Sequence, residues 1–333
     1  MRLRPKATDH TAAAAPPAAA VPVEPSHRDT AGAPPSARPD KATWGFEQGD
    51  AIAPGRTVLK LLGGGSAYEV FLVWDEHRFS LMVAKVLRPD RAEDPGELRS
   101  LRKEAEALDA LAHPVLVRGF DRVLEGPHPH VVIEHLEGPT LRSLIRRTGP
   151  LPMEQLVPLA LHVAAAVQYM ANEGWVHLDV KPDNIVMGVP PRLIDLSVAR
   201  TYERAGRISG PIGTDAYMAP EQCDPTRAPI GAPADVFGVA STLFHAIAGE
   251  VPFPRPKGAR ESEDDAVRFP QLHAPPGDLP PSTPAALAEI VHAGLAQHPE
   301  ERPTAAELVV ALEPVLESLP RKLVLSKRGA RGV

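Results

Sequence analysis

One stretch, residues 177–197, restricts the fold of this chain more than any other. It contains two short apolar runs, residues 185–187 and 193–194, which are separated by a turn with Gly188, Pro190 and Pro191. Apolar runs bounded by such turn residues are typical of a β-hairpin. A hairpin would bring the residues before the first run and after the second run together at one mouth.

Four polar side chains stand at this predicted mouth. Asp179, Lys181 and Asn184 precede the first run, and Asp195 follows the second. Carboxylate and amide oxygens hold Mg²⁺ ions that keep several waters and bind phosphates, and a separate carboxylate can orient a hydroxyl nucleophile. A solvated polar turn is the usual interpretation for any one of these residues, but the four together favour phosphoryl transfer.

At these residues the chain resembles the protein kinase family. Residues 177–179 (His-Leu-Asp) with Asn184 are similar to the catalytic-loop pattern H-R-D-L-x-x-x-N, and residues 195–197 (Asp-Leu-Ser) to D-F-G. Lys181 is similar to the lysine of the serine/threonine branch. The resemblance covers about residues 54–319 and is strongest to bacterial eukaryotic-like (Hanks-type) serine/threonine kinases.

The resemblance implies a role for each residue at the mouth. Asp179 would orient the substrate hydroxyl and receive its proton, and Lys181 would steady the γ-phosphate of ATP. Asn184 and Asp195 would hold Mg²⁺ or Mn²⁺. Catalysis would then depend mainly on positioning and on charge stabilisation.

A glycine-rich turn near the start of the folded region is the first candidate nucleotide site. Strand-like residues 57–62 lead into three glycines, and a second strand-like run follows. Glycine lets the backbone come close to phosphates. The turn resembles the kinase pattern G-x-G-x-x-G-x-V, with Tyr68 in place of the third glycine. The residues predicted to bind nucleotide here are Gly63, Gly64, Gly65 and Val70.

The apolar run at residues 81–87 carries a single lysine, Lys85. A lone lysine on a strand usually points to solvent. In order with the glycine-rich turn, however, the run resembles the V-A-I-K strand of kinases, which implies that Lys85 contacts the α- and β-phosphates. The resemblance further implies that Ala84 and Val70 pack on the adenine.

Residues 97–111 have leucines at helical spacing. Glu104 lies at the edge of that apolar face and is the expected ion-pair partner of Lys85 in the active state. Glu106 is the alternative partner, and a solvated glutamate is the simpler interpretation of either residue.

A short buried-type strand at residues 131–133 resembles the strand that leads into the kinase hinge. The resemblance implies that backbone groups near Glu134 and Leu136 meet the adenine edge, with Ile133 behind it. Val186, in the predicted hairpin, completes the predicted nucleotide-binding set.

The resemblance assigns roles to four further residues, of which three are structural. Glu221, in an Ala-Pro-Glu triplet, would pair with Arg302, and Asp235 would anchor the catalytic-loop backbone. Thr214 would contact the catalytic aspartate and lysine directly.

Composition sets the remaining limits. The 333 residues are 43% hydrophobic and 23% charged, which fits a globular protein with a sizeable core. A formal net charge of −6 gives no overall attraction to nucleic acid or anionic membrane. Cys223 is the single cysteine, so no intrachain disulfide can form and a cytoplasmic location is expected. No apolar run is long enough to span a membrane.

The chain is therefore predicted to be an α+β protein with a two-lobed protein kinase fold. Residues 1–53 are predicted to be a disordered Ala/Pro-rich tail, 54–320 the kinase domain, and 321–333 a basic tail. Within the domain, the small β-rich lobe should cover about 54–134 and the larger helical lobe about 138–320.

The predicted function is ATP- and Mg²⁺-dependent phosphorylation of serine and threonine in protein substrates, including the chain itself. One alternative is a pseudokinase that serves as a nucleotide-binding or scaffold module, because fold alone does not guarantee chemistry. A small-molecule kinase of the aminoglycoside type is the other. Lys181 and the Ala-Pro-Glu triplet argue against it, because by resemblance they serve a peptide substrate.

Overall fold

The computed structural model describes residues 42–319, which form two lobes. A six-stranded antiparallel sheet with the order β1-β2-β3-β4-β6-β5 makes up most of the small lobe. Its strands are β1 (Ala51–Ala53), β2 (Arg56–Gly64), β3 (Tyr68–Asp75), β4 (Ser80–Leu87), β5 (Gly119–Val123) and β6 (His130–Glu134).

The two faces of this sheet have different roles, because successive strand side chains point to opposite faces. On the outer face, Phe71 and Val73 of β3 pack with Met82 and Val86 of β4 in a small apolar core. On the other face, Lys85 lies directly across from Val70 and Val131. The face that carries Lys85 is turned toward the helices.

Helix α1 (Pro95–Ala110) packs beneath the sheet and begins at a well-defined cap. The Asp94 carboxylate accepts hydrogen bonds from the N–H groups of Gly96 and Glu97, at 2.7 and 2.9 Å. Asp is among the best N-cap residues, and proline is favoured in the first turn. The predicted helix is therefore present, displaced by one or two residues at its ends.

Residues 42–53 correct the predicted boundary of the folded region. The predicted tail ended at residue 53, but Trp44 and Phe46 pack against the apolar core on the outer face of the sheet. The strand β1 is also paired with β2. The folded region thus begins by residue 42, whereas residues 1–41 and 320–333, including most of the predicted tails, lie outside the described residues.

The large lobe is built mainly from helices. They are α2 (Leu141–Thr148), α3 (Met153–Asn172), α4 (Tyr202–Ala205), α5 (Pro220–Cys223), α6 (Ala232–Ala248), α7 (Asp265–Arg268), α8 (Ala285–Gly294) and α9 (Ala305–Ser318). Two short two-stranded sheets complete the lobe, formed by β7 (Trp175–Val176) with β10 (Arg200–Thr201) and by β8 (Ile185–Val186) with β9 (Arg192–Leu193).

Helix α6 lies at the centre of the large lobe, and nearly all of its residues are buried. It ends at Gly249, whose φ of 80° is the left-handed conformation that glycine adopts without a Cβ penalty. Helix α9 begins with a capping box, in which Thr304 and Glu307 each bond the other's backbone N–H. Helix α6 contacts β7 and the 3₁₀ turn at residues 182–184, so it supports the loop between β7 and β8.

The proline-rich connection at residues 252–284 is irregular apart from α7 and short 3₁₀ turns. It is nevertheless tied to the rest of the lobe. The buried Gln271 amide donates to the backbone oxygens of Asp215 and Met218, at 2.7 and 3.1 Å. Within residues 42–319, no helix is long and apolar enough to cross a membrane.

Candidate active site

The hairpin predicted at residues 185–194 is present. Strands β8 and β9 are antiparallel, with Ile185 opposite Leu193. At the mouth, the N–H of Ile194 donates to the backbone oxygen of Asn184 at 2.8 Å. Asn184 and Asp195 are thereby brought close along two paired strands, as the pattern of apolar runs predicted.

Asp179 is the centre of a hydrogen-bonded cluster. Its Oδ2 accepts from Lys181 Nζ at 2.6 Å and from Asn184 Nδ2 at 3.0 Å. Its Oδ1 accepts from the Thr214 hydroxyl at 2.7 Å, and Thr214 Oγ1 also accepts from Lys181 Nζ at 2.6 Å. The contacts expected of Thr214 are therefore present, and they fix the orientation of the Asp179 carboxylate.

The backbone of this loop is held from below by α6. The buried Asp235 carboxylate accepts from the N–H groups of His177 and Leu178, both at 2.7 Å. A Cβ on Gly238 would lie 3.0 Å from the Val180 side chain, so glycine allows α6 to approach the loop closely. The anchoring predicted for Asp235 is confirmed.

A second anchor, Gln222, was not predicted. Its Nε2 donates to the backbone oxygens of Leu178 and Ile212, at 2.8 and 2.9 Å, and its Oε1 accepts from Ala219. This buried amide joins the catalytic loop to the segment that carries Thr214. The neighbouring Glu221 forms the predicted ion pair with Arg302, and the pair is bidentate, at 2.6 and 2.9 Å.

Lys85 joins the two lobes. Its Nζ lies 2.8 and 3.0 Å from the two carboxylate oxygens of Glu104, on α1, and 2.7 Å from Asp195 Oδ1. The partner of Lys85 on α1 is thus Glu104. The alternative, Glu106, is exposed and pairs with Arg204 instead.

Burial and charge act in opposite directions on this cluster. Burial by itself would lower the pKa of Lys85, but the carboxylates of Glu104 and Asp195 raise it above its ordinary value. Burial by itself would raise the pKa of Asp195, but the Lys85 charge keeps it well below the usual range. Lys85 is therefore cationic and Asp195 anionic at neutral pH.

Tyr68, at the position of the third family glycine, turns inward beside this cluster. Lys85 Nζ lies 4.6 Å from the centroid of its ring, a cation–π distance. Burial, with Glu104 nearby, raises the pKa of the phenol. The ring also packs into the main apolar core. Its bulk therefore stays below the glycine-rich turn rather than filling it.

The glycine-rich turn joins β2 to β3 tightly. A Cβ on Gly64 would collide with the backbone oxygen of Tyr68, and Gly63 has a φ of 150°. The N–H of Gly65 donates to the Tyr68 oxygen at 3.0 Å, so this group is engaged within the turn. Val70 follows on the sheet face that carries Lys85.

The prediction that Ala84 packs on the adenine is wrong. Ala84 lies opposite Phe71 and belongs to the apolar core on the outer face of the sheet, away from Lys85. The residue of β4 on the correct face is Val83, which pairs with Ile133 of β6. The two-residue period counted from Lys85 would have identified Val83 from the sequence.

The predicted hinge follows β6. Among residues 42–319, no residue forms a hydrogen bond with the backbone of Leu136, which leaves its N–H and C=O available to a ligand. The Glu134 side chain points elsewhere and accepts from the N–H of Arg118 at 2.7 Å. A Cβ on Gly138 would collide with the Met187 oxygen, so the chain passes directly over β8 beside Val186.

These features define a protein kinase domain. They are a small β-sheet lobe with a glycine-rich turn, a lysine on that sheet that pairs with a glutamate on helix α1, and a loop centred on an aspartate in the large lobe. Residues 56–311 match the family model described as "Protein kinase domain". This chain therefore belongs to the protein kinase family, as its motifs predicted.

The chain is similar to bacterial serine/threonine kinases. It is 31% identical over 263 residues to serine/threonine-protein kinase PknB of Mycobacterium leprae, covering 74% of this chain and 41% of that protein. It is 32% identical over 264 residues to the probable serine/threonine-protein kinase PkwA of Thermomonospora curvata, covering 78% of this chain and 34% of the relative. The chain thus spans about two fifths or less of the length of these curated relatives.

Membership of the family implies ATP as co-substrate and a divalent metal ion. The oxygen donors at the hairpin mouth fit a hard cation. Asp195 is anionic, and Asn184 Nδ2 donates to Asp179, which leaves the Asn184 amide oxygen as the possible ligand. In the part of the chain that the structure describes, no three His, Cys, Asp or Glu residues form a metal-binding group. Phosphate oxygens and water would have to supply the remaining ligands.

Proposed function

We propose that this chain transfers the γ-phosphate of ATP to serine and threonine hydroxyls of protein substrates, with itself among them. The main support for the proposal is that Lys85 forms ion pairs with both Glu104 and Asp195. Those contacts bring α1, the sheet and the hairpin mouth into the arrangement that phosphoryl transfer requires. The proposed domain extends from about residue 42 to 319.

In the proposed reaction, the substrate hydroxyl oxygen forms a bond to the γ-phosphorus and the bond to the β–γ bridging oxygen breaks. Asp179 accepts the hydroxyl proton, and ADP leaves with the bridging oxygen. Lys181 neutralises charge on the transferred group, and Thr214 and Asn184 keep the Asp179 carboxylate aimed. The phosphates of ATP rest against Lys85 and the turn at Gly63, Gly64 and Gly65.

Asn184 and Asp195 would hold the metal ion, which we propose is Mg²⁺ and which Mn²⁺ can replace. The ion would neutralise charge on the β- and γ-phosphates. The adenine would lie between Val70, Val83, Ile133 and Val186, with its edge toward the backbone of Glu134 and Leu136. Because ATP is the co-substrate and Cys223 is the single cysteine, we place the reaction in the cytoplasm.

The pseudokinase alternative is less favoured. The reason for considering a pseudokinase is that three residues, Tyr68, Leu178 and Ser197, depart from the family motifs. Tyr68 and Leu178 are buried side chains, and the N–H of Ser197 points to Asp195 Oδ1 at 3.4 Å. None of the three removes a candidate phosphate or metal ligand.

The test is a transfer assay with γ-labelled ATP and generic protein acceptors, run with Mg²⁺, with Mn²⁺ and with a chelator. We expect labelled phosphoserine or phosphothreonine in the presence of metal and none with the chelator. Calorimetric binding of Mg-ATP without any transfer to acceptors or to the chain itself would favour the pseudokinase instead.

A further inference from the structure

A short segment ahead of the kinase motifs is bonded to the strands that carry the glycine-rich turn. We call residues 42–46 the N-terminal strap. It precedes the part of the chain that matches the kinase family model, which begins at residue 56. It lies on the outer face of the sheet, where Phe46 packs against Phe71 with ring centroids 5.7 Å apart.

The strap accounts for a buried carboxylate on β3. Glu69 is 2% exposed. Its two oxygens accept from the Thr43 hydroxyl at 2.6 Å and from the N–H of Trp44 at 3.0 Å. A buried carboxylate is costly unless it is hydrogen-bonded and paired. The strap therefore supplies bonds without which Glu69 would be poorly satisfied.

The Trp44 side chain fixes the strap to the end of β4. Its indole Nε1 donates to the backbone oxygen of Leu87 at 2.7 Å, and its ring meets His128 edge-on at 4.6 Å. Aromatic rings with a satisfied polar group make strong, specific anchors. The strap thus has a defined position relative to the strand that carries Lys85.

Arg88 connects the strap to the glycine-rich turn. Its Nη1 donates to the backbone oxygen of Ala42 at 2.8 Å, and its Nε donates to the backbone oxygen of Gly65 at 3.0 Å. The same guanidinium lies 3.7 Å from Glu69. In addition, the backbone N–H of Arg88 donates to the Ala67 oxygen at 2.8 Å. One side chain therefore spans from the strap to the turn.

We propose that the strap and Arg88 position the glycine-rich turn for ATP, so that displacement of the strap weakens nucleotide binding. The proposal rests on the proposed function only in that ATP is the ligand of the turn. A turn rich in glycine has many accessible backbone conformations, and a bound conformation that is already populated raises affinity. Arg88 and Trp44 are positioning residues, because neither contacts the site of phosphoryl transfer.

The test compares the Arg88→Ala, Arg88→Lys and Trp44→Phe variants of the 333-residue chain with wild type. Lysine keeps the charge but lacks the planar fork that reaches both backbone oxygens. Phenylalanine keeps an aromatic ring but cannot donate to Leu87. The matched control is Arg78→Ala, in the turn that joins β3 to β4. It removes another partly buried arginine that bonds a carboxylate and a backbone oxygen, at the opposite end of β3 from the glycine-rich turn.

Two quantities are measured. In the nucleotide-free protein, we expect the Gly65 amide to exchange about tenfold faster in both Arg88 variants than in wild type. In the transfer assay, we expect the KM for ATP to rise about tenfold while kcat at saturating ATP changes less than about threefold. Trp44→Phe should shift both quantities in the same direction, and Arg78→Ala should shift neither.

Unchanged Gly65 exchange in the Arg88 variants, or an equal change in Arg78→Ala, would overturn the proposal. So would a fall in kcat with an unchanged KM for ATP. The exchange arm needs neither nucleotide nor activity, so it is informative even if the chain proves not to transfer phosphate. Failure of wild type to bind Mg-ATP would contradict the proposed function instead, which keeps the two failures distinct.

Discussion

Lys85 contacts two carboxylates, Glu104 and Asp195, in a place where burial opposes charge. Glu104 is buried, and burial raises its pKa even though the Lys85 charge acts to lower it. The pKa of Asp195 is lowered overall, because the Lys85 charge outweighs burial. The two carboxylates therefore depend on the same ammonium, and one substitution should affect both.

Replacing Lys85 with methionine should raise the pKa of Asp195 and of Glu104, because the main charge that opposes burial of both groups is then removed. A carboxylate with a depressed folded-state pKa stabilises the fold above its unfolded pKa, and this contribution is lost as the pH falls through the folded value. In Lys85→Met the contribution of Asp195 should be lost at a higher pH than in wild type. Carboxyl carbon NMR titration measures both groups.

The control is Lys60→Met, which replaces an exposed lysine on β2 and should leave the titrations of Asp195 and Glu104 unchanged. An Asp195 pKa that stays depressed in Lys85→Met would show that another group, such as the N–H of Ser197, governs its ionisation.

Tyr68 shows how one residue can depart from a family pattern without blocking the site. Its hydroxyl is buried and has no hydrogen-bond partner in the described part of the chain. The ring, by contrast, packs in the core and faces Lys85 Nζ. The stabilising part of this side chain is therefore the ring.

Tyr68→Phe should leave the free energy of unfolding unchanged or slightly higher, since removing an unsatisfied buried hydroxyl costs little. Tyr68→Gly, which restores the family residue, should lower it by about 3 kcal/mol or more because it leaves a cavity. Urea denaturation measures both changes. A loss of more than about 1 kcal/mol in Tyr68→Phe would show that the hydroxyl is bonded after all.

At the scale of elements, the segment between Asp195 and Glu221 is held by groups other than a phosphate. In many family members, an arginine before the catalytic aspartate binds a phosphate on this segment. Here the position is Leu178, which is 3% exposed and packed in the core. The Gln222 amide and the β7–β10 pairing connect the segment to the catalytic loop instead.

We therefore expect that basal activity does not require phosphorylation of Thr201 or Ser209. The initial rate of a Thr201→Ala, Ser209→Ala double variant, and of phosphatase-treated wild type, should stay within a few-fold of untreated enzyme, or about 1 kcal/mol in barrier. Thr201 caps the short helix α4, so its loss has only a local cost.

Thr214→Ala is the matched control, because its hydroxyl bonds Asp179 and Lys181 directly. It should lose activity where the double variant does not. A drop of about two orders of magnitude in both the double variant and the treated wild type would mean that a phosphate on this segment is needed despite Leu178.

At the scale of the whole molecule, the sequence was most informative where local pattern and chemistry coincide. The hairpin at residues 185–194 and the helix that carries Glu104 follow from apolar spacing. The assignment of Ala84 to the adenine failed because Ala84 is next to Lys85 in β4, and neighbouring strand residues point to opposite faces of the sheet. The position of Val83 was available from the same sequence, counted two residues back from Lys85.

Other features could not be predicted because they depend on contacts between residues distant in sequence. Residues 42–53 have no sustained apolar period. Trp44 is held by bonds to Glu69 and Leu87, and residues 51–53 are held by pairing with β2. Nothing in the sequence near Gln222 indicates its role, which arises because the fold places its amide between two loops. Such partners become visible only when the fold has brought the segments together.

We expect Asp179 to act on the substrate hydroxyl in a preassembled site. The most direct test of this role is the rate of phosphate transfer from saturating Mg-ATP by Asp179→Asn, measured in a single turnover beside calorimetric binding of Mg-ATP. Asparagine keeps the shape of the side chain but cannot take the proton. We predict that transfer is almost abolished while nucleotide affinity stays within a few-fold of wild type. Transfer at the wild-type rate would contradict this role of Asp179.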